Sequence, residues 1–207
     1  MNSTNAANFG GINVRPPIAA GGQRIGLLGG TFDPAHKGHQ HISEFALKSC
    51  ALDQVWWLVT PGNPIKSNNN LTKMSERISA AQEIAHHPRI KVTGFEAALG
   101  TSYTAETLKF LSKRYSSTDF IWLMGADNLI NFHMWQKWKS IFQLMPIAVF
   151  DRPEYRLKAL ASPAAQRFAS RRRQNIGAAS LITSKPPVWA FLTLPLTDIS
   201  STKLRQK

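Results

Sequence analysis

The chain reads as an α/β protein built on a mainly parallel sheet of five or six strands. Two observations predict this. From Arg24 onward, short apolar runs alternate with amphipathic segments, and glycine, proline or asparagine clusters fall between them. The 207 residues also suit one domain with a single core and leave little room for two. Strands that alternate with helices need right-handed crossovers, which cover both faces of a parallel sheet. In such folds ligands bind at the carboxyl ends of the strands.

Residues Met1 to Gln23 are rich in Asn, Ala, Gly and Pro and show no helical period, so 1–23 is expected to be a disordered tail, with the folded domain over 24–207. The tail lacks the basic start and apolar stretch of a secretory signal. Ile25 to Leu28 is a buried strand. After a glycine-rich turn, His39 to Cys50 is a helix that turns Ile42, Phe45 and Ala46 to one side. Gln54 to Thr60 is the second strand. Pro61 to Asn70, with its prolines and asparagines, is a long loop at a strand end.

Met74 to His86 is a helix with Ile78, Ala81 and Ile84 inward, and Pro88 follows its end. Ile90 to Val92 is a short strand, Thr104 to Tyr115 a helix packing through Leu108 and Leu111, and Asp119 to Met124 a strand. Asn128 to Leu144 is helical, Ile147 to Phe150 a strand, Leu157 to Arg173 helical, and Val188 to Leu194 the last strand.

Composition narrows the function classes. Hydrophobic residues make up 43% and charged residues 18%, which is ordinary globular usage. The longest apolar runs, Val55 to Thr60 and Ile121 to Met124, fall far short of the roughly 20 residues of a membrane helix, so no membrane partner is expected. A single cysteine, Cys50, fits a reducing, cytoplasmic setting. Lys and Arg outnumber Asp and Glu by 25 to 12, a net +13, which favours an anionic partner. The basic residues are scattered apart from Arg171 to Arg173, so a small phosphorylated substrate is preferred over nucleic acid.

Chemistry concentrates after the first strand, in Gly29-Gly30-Thr31-Phe32-Asp33-Pro34-Ala35-His36-Lys37-Gly38-His39. Gly29 and Gly30 let backbone approach a ligand, and Asp33-Pro34 turns the chain into a helix whose first amides attract phosphate. His36 and His39, three apart, face one side of the first turn, and Gly38 removes an obstructing side chain. Two imidazoles then donate to one phosphate.

This segment resembles the G-G-T-F-D-P-x-H-x-G-H signature of the nucleotidylyltransferase superfamily, and with the motifs below it is similar to the bacterial nicotinate-nucleotide adenylyltransferases. The resemblance runs from about Arg24 to Arg205. It implies a Rossmann-like three-layer fold and an ATP site formed by Gly29, Gly30, Thr31, Phe32, His36, Gly38 and His39. The loop Pro61-Gly62-Asn63-Pro64-Ile65-Lys66 resembles the one that carries a basic residue, here Lys66, toward the phosphates. Ser102-Tyr103-Thr104 resembles the family's S-Y-T element, and Trp135 stands where the family places an aromatic ring against the pyridine. The resemblance therefore assigns Thr31, Lys66, Ser102, Tyr103, Thr104 and Trp135 to nicotinate mononucleotide.

Gly125-Ala126-Asp127 is similar to the G-x-D element at the adenosine ribose. Ile199-Ser200-Ser201-Thr202-Lys203-Leu204-Arg205 matches the I-S-S-T-x-x-R element, which adds Ile199, Ser200, Ser201 and Thr202 to the ATP site. His36, His39, Lys66 and Arg205 are the implied catalytic set.

The implied reaction is adenylyl transfer from ATP to nicotinate mononucleotide, giving nicotinate adenine dinucleotide and pyrophosphate in NAD biosynthesis. Mg²⁺ is expected to be carried mainly by the ATP phosphates, with no dedicated protein metal site, since no carboxylate cluster stands out. A homo-oligomer is compatible with the sequence. Two alternatives are a phosphopantetheine adenylyltransferase-like enzyme, disfavoured by the S-Y-T and Trp elements, and a basic nucleic-acid-binding module without catalysis. Lys73-Met74-Ser75-Glu76-Arg77 resembles the K-M-S-K-S loop of class I aminoacyl-tRNA synthetases, yet it lacks the second lysine and reads as a capped helix start.

Overall fold

A computed structural model describes residues 15–62, 64, 68–152, 154–173 and 178–193. Among them lie seven strands in one parallel sheet: β1 (Arg24–Gly30), β2 (Gln54–Val59), β3 (Ile90–Thr93), β4 (Asp119–Gly125), β5 (Ile147–Phe150), β6 (Arg172–Arg173) and β7 (Trp189–Leu192). Their order is β3-β2-β1-β4-β5-β7-β6. The helices are α1 (Lys37–Ser49), α2 (Met74–Ile84), α3 (Phe95–Leu99), α4 (Thr104–Arg114), α5 (Ala126–Ile130), α6 (Trp138–Leu144), α7 (Arg156–Leu160), α8 (Pro163–Arg167) and α9 (Ala178–Leu181).

Side chains alternate across the sheet with the period of two that a strand imposes. Val55, Trp57 and Val59 of β2, with Ile121 and Leu123 of β4, join the core under α1 and α2. Trp56 and Leu58, with Phe120, Trp122 and Met124, join the opposite core under α4 to α8. Burial on both faces explains why these strands read as near-continuous apolar runs. The chain runs outward from β1 to β3 and then returns to β4 on the other side of β1. The carboxyl ends of β1 and β4 therefore flank the topological switch point, where open α/β sheets bind ligands.

Four expectations about the strands and helices of the domain differ from the structure. The sheet has seven strands, not five or six, because the two-residue β6 pairs with β7 at its edge. Asn128 to Leu144 is not one helix: a 3₁₀ turn over Phe132–Met134, extended backbone at Trp135 and a left-handed Lys137 (φ 53°) separate α5 from α6. Leu157 to Arg173 is also broken, since the Ser162 hydroxyl caps α8 ahead of Pro163 and restarts the chain in a new direction. A short helix, α3, lies where none is expected.

The tail reading drawn to Gln23 fails from Arg15 onward. The buried hydroxyl of Thr93 donates to the Arg15 carbonyl at 2.8 Å. Tyr115 Oη donates to the Pro17 carbonyl at 3.1 Å, and Gly22 N–H bonds to the Ser117 carbonyl at 2.6 Å. Among the described residues no helix is long and apolar enough to cross a membrane.

Candidate active site

β1 ends at Gly30, whose carbonyl takes the N–H of Thr60 from the neighbouring β2 end at 3.0 Å. Gly29 is required by packing: a Cβ there would collide with Cη2 of Trp122, which crosses beneath it from β4. Gly30 meets no such obstacle, with Phe32 at ordinary contact distance. The chain then turns through Phe32 at φ 50°, an uncommon backbone state for a bulky residue. Its buried ring stacks on Trp57 at 5.1 Å and sits 4.7 Å from His39. Phe32 is thus a floor beneath the histidine.

His36 is the N-cap of α1, and the two histidines form a reciprocal cap. Nδ1 of His36 accepts the Gly38 N–H at 3.1 Å, and Nδ1 of His39 accepts the His36 N–H at 3.3 Å. Their rings lie 3.8 Å apart. A nitrogen that accepts a hydrogen bond carries no proton, so in each neutral ring the proton is on Nε2. Both groups stay neutral well into acid. Burial, then the charge of Arg152, lowers His36 to about 4. His39 is held well below the usual histidine value by burial, by His36 and by Arg152.

On the other side of the switch point, Gly125 ends β4 and Asp127 sits in the first turn of α5. Asp127 is not the cap of that helix, which starts at Gly125 without a side-chain bond. Its carboxylate instead pairs with Arg152, just past β5, at 3.4 Å. The switch point thus gathers two neutral Nε2–H donors, a carboxylate and a guanidinium around backbone with little side-chain bulk, an arrangement suited to a nucleotide.

Comparison with known proteins agrees. Residues 27–207 match the cytidylyltransferase-like family. A protein of Methylorubrum extorquens named "Probable nicotinate-nucleotide adenylyltransferase" is 50% identical over 184 residues, which is 89% of this chain and all of that one. The chain belongs to this nicotinate-nucleotide adenylyltransferase family. A relative of the same name from Rhizobium meliloti is 50% identical across 87% of this chain and 96% of its own length. The solved Plasmodium falciparum nicotinic acid mononucleotide adenylyltransferase in complex with NaAD shares the fold at a TM-score of 0.66 and 16% identity, covering 89% of this chain and 83% of that one.

The remaining family motifs fall on two further segments of this adenylyltransferase. Ser102, Tyr103 and Thr104 enter α4, whose N-cap is Tyr103 and has no side-chain cap bond. Thr101 organises that turn instead, accepting the Tyr103 N–H at 3.1 Å and donating to Glu106 at 2.9 Å. Trp135 packs against Phe132 at 4.9 Å and edge-on to Trp122 at 6.3 Å, while remaining partly exposed. Trp138 belongs to the core around Phe142 and Phe168. Lys66, Ile199, Ser200, Ser201, Thr202 and Arg205 lie outside the described residues.

Three residues escaped the sequence reading. Arg77, 2% exposed, donates from Nη1 to the carbonyls of Thr31 (2.6 Å) and Thr60 (2.9 Å) and from Nε to Thr72 (2.8 Å). It ties the loops after β1 and β2 together. Lys73, not a side-chain cap, precedes this helix, so the capped-start reading is corrected. The signal for Arg77 was its place one turn before Ala81, on the inward stripe. Arg152, two residues past an apolar strand, sits where that fold class puts ligands. Ser43 is buried beneath His39, and nothing in its local sequence marks it.

Proposed function

We propose that His36 and His39 hold the ATP phosphates through their Nε2–H groups during adenylyl transfer to nicotinate mononucleotide. The observation that supports this most is the reciprocal cap, which commits both Nδ1 atoms to backbone N–H groups and leaves Nε2 as the donor on each ring. The enzyme transfers the adenylyl group of ATP to nicotinate mononucleotide, releasing nicotinate adenine dinucleotide and pyrophosphate. An oxygen of the mononucleotide phosphate attacks the α-phosphorus in line. The new P–O bond forms as the bond to pyrophosphate breaks, and the electron pair leaves with pyrophosphate. No covalent enzyme intermediate is needed, so positioning and charge stabilisation supply the rate.

In this reading Gly29, Gly30, Thr31 and Gly38 bring backbone close to the phosphates, and Lys66 and Arg205 add charge. Gly125 and Asp127 meet the adenosine ribose, whose hydroxyls donate to the carboxylate. Ile199 to Thr202 complete the ATP site. Ser102, Tyr103 and Thr104 bind nicotinate mononucleotide, with Trp135 against the pyridine ring. Among the described residues no three His, Cys, Asp or Glu side chains group as metal ligands. The switch point offers imidazoles, a guanidinium and the single carboxylate of Asp127, which is paired with Arg152, so Mg²⁺ would be carried mainly on the ATP phosphates, where it would neutralise charge.

Pyrophosphate release from ATP, measured with nicotinate mononucleotide, with its amide and with neither, tests the reading. Release should require the mononucleotide and favour the acid by at least about 100-fold in kcat/KM, because donors arranged for a carboxylate meet the hydrogens of an amide. Equal use of acid and amide would overturn that account of the pyridine pocket. Release without any mononucleotide would overturn the transfer itself.

A further inference from the structure

Asp127 presents a partly exposed carboxylate with one buried oxygen. Among the described residues its Oδ1 is shielded from solvent and has no hydrogen-bond partner, and Arg152 Nε lies 3.4 Å from it. That separation is an ion pair without a hydrogen bond, so the acceptor capacity of Oδ1 is unspent. Both side chains pass over Gly125. A Cβ on that residue would collide with Asp127 Oδ1 and stand 2.9 Å from Arg152 Nε. The glycine of the Gly-x-Asp segment is therefore the space in which carboxylate and guanidinium meet.

The side chain of Arg152 is only 17% exposed. The adjacent carboxylate, Asp151, pairs with Arg156 instead, through Oδ2 and Arg156 Nε at 2.7 Å. The positive charge of Arg152 also reaches both His36 and His39. One guanidinium thus pairs with the carboxylate and also acts by its charge on the imidazole pair.

We infer that Arg152 is a positioning residue for the ribose of ATP: it holds the Asp127 carboxylate in place over Gly125, with one oxygen kept free to accept a ribose hydroxyl. The inference rests on the proposed role of Asp127 toward ribose. The guanidinium pairs with the carboxylate without consuming Oδ1 as an acceptor, which leaves that oxygen to a ribose hydroxyl.

The test compares ATP with 2′-deoxy-ATP and 3′-deoxy-ATP in the full-length wild type and in Asp127→Asn, Arg152→Met and Arg152→Lys. The wild type should discriminate against at least one deoxy analogue by about 10-fold or more in kcat/KM. Asp127→Asn should lose that discrimination. Arg152→Met should lose at least about half of it on a logarithmic scale, mainly through the KM for ATP, and Arg152→Lys should recover part of it.

A second readout separates positioning from general damage. Removing the cation in Arg152→Met should move the acidic limb of kcat/KM to higher pH, since the charge that disfavours protonation of His36 and His39 is gone, whereas Asp127→Asn should not move it upward. If Asp127→Asn keeps full ribose discrimination, the proposed role of Asp127 fails and this inference with it. If Asp127→Asn loses discrimination but Arg152→Met keeps it, only the role of Arg152 is overturned. An unmoved acidic limb in a folded Arg152→Met likewise overturns the shared-charge arrangement.

Discussion

Trp57 donates its indole N–H to Ser43 Oγ at 2.8 Å, and Ser43 passes the bond on to the His39 carbonyl at 2.8 Å. A sheet residue is thereby linked through one fully buried hydroxyl to the backbone of a site histidine. Ser43→Ala leaves the buried Trp57 N–H without a partner, at a cost of about 1 to 3 kcal/mol. The expected outcome is a lower urea midpoint with an unchanged m-value, and turnover reduced by less than in any His39 variant. An unchanged midpoint would show that the indole finds another acceptor.

His39→Ala should lower kcat far more than it raises the KM for ATP, by about 100-fold or more in kcat, since its bond to phosphate is proposed to strengthen as charge builds. Steady-state pyrophosphate release measures both constants. A variant with near-normal kcat removes His39 from the catalytic set.

Gly29→Ala should destabilise the fold by about 1 to 3 kcal/mol, because the added methyl overlaps the ring of Trp122, which is packed between Gly29 and Trp135. Gly30→Ala, which meets only ordinary contacts, should cost less stability. Thermal melting of the two variants decides the order, and the reverse order contradicts the packing described.

Glu96 is a buried carboxyl that accepts the Thr107 hydroxyl at 2.7 Å. Burial raises it to about 7, against the opposing effect of the Thr107 and Thr60 bonds. Its folded value is thus above the unfolded one near 4.5. The contribution to stability is full below that unfolded value and is lost as pH rises through about 7, a change of roughly 3 kcal/mol. Between pH 4.5 and 8, Glu96→Gln should therefore gain stability relative to wild type by about that amount. Denaturant melts at the two ends of the range test it, and parallel pH profiles would refute it.

Truncation through Gly22 should lower Tm by at least about 3 °C relative to truncation through Val14, because the longer deletion strips the partners of the Thr93 and Tyr115 hydroxyls. Equal melting temperatures would mean that these bonds contribute nothing net.

What the residues determined by themselves was the architecture and the chemistry of its main motif. Runs such as Val55 to Val59 and Phe120 to Met124 are apolar at every position because both faces of a parallel strand are buried, and that pattern survives without any knowledge of neighbours. The spacing of Gly29, Gly30, His36, Gly38 and His39 is likewise local, since a strand end, a turn and one helical turn fix how these residues face.

Tertiary structure decided whatever depends on distant partners. Arg15 and Pro17 have tail-like composition, yet hydroxyls from Thr93 and Tyr115, far along the chain, capture their carbonyls. Lys137 turns left-handed, and its ammonium lies 3.7 Å from Glu106 of α4, where the local sequence reads as continuous helix. The inward place of Arg77 became intelligible only when Thr31 and Thr60 were seen to converge on it. Arg152 acquired meaning only when β5 was placed beside β4 and Asp127 came within reach. The physical reason is common to all four: strand order and loop convergence set which charges and carbonyls meet, and neither is encoded in the spacing of residues along one segment.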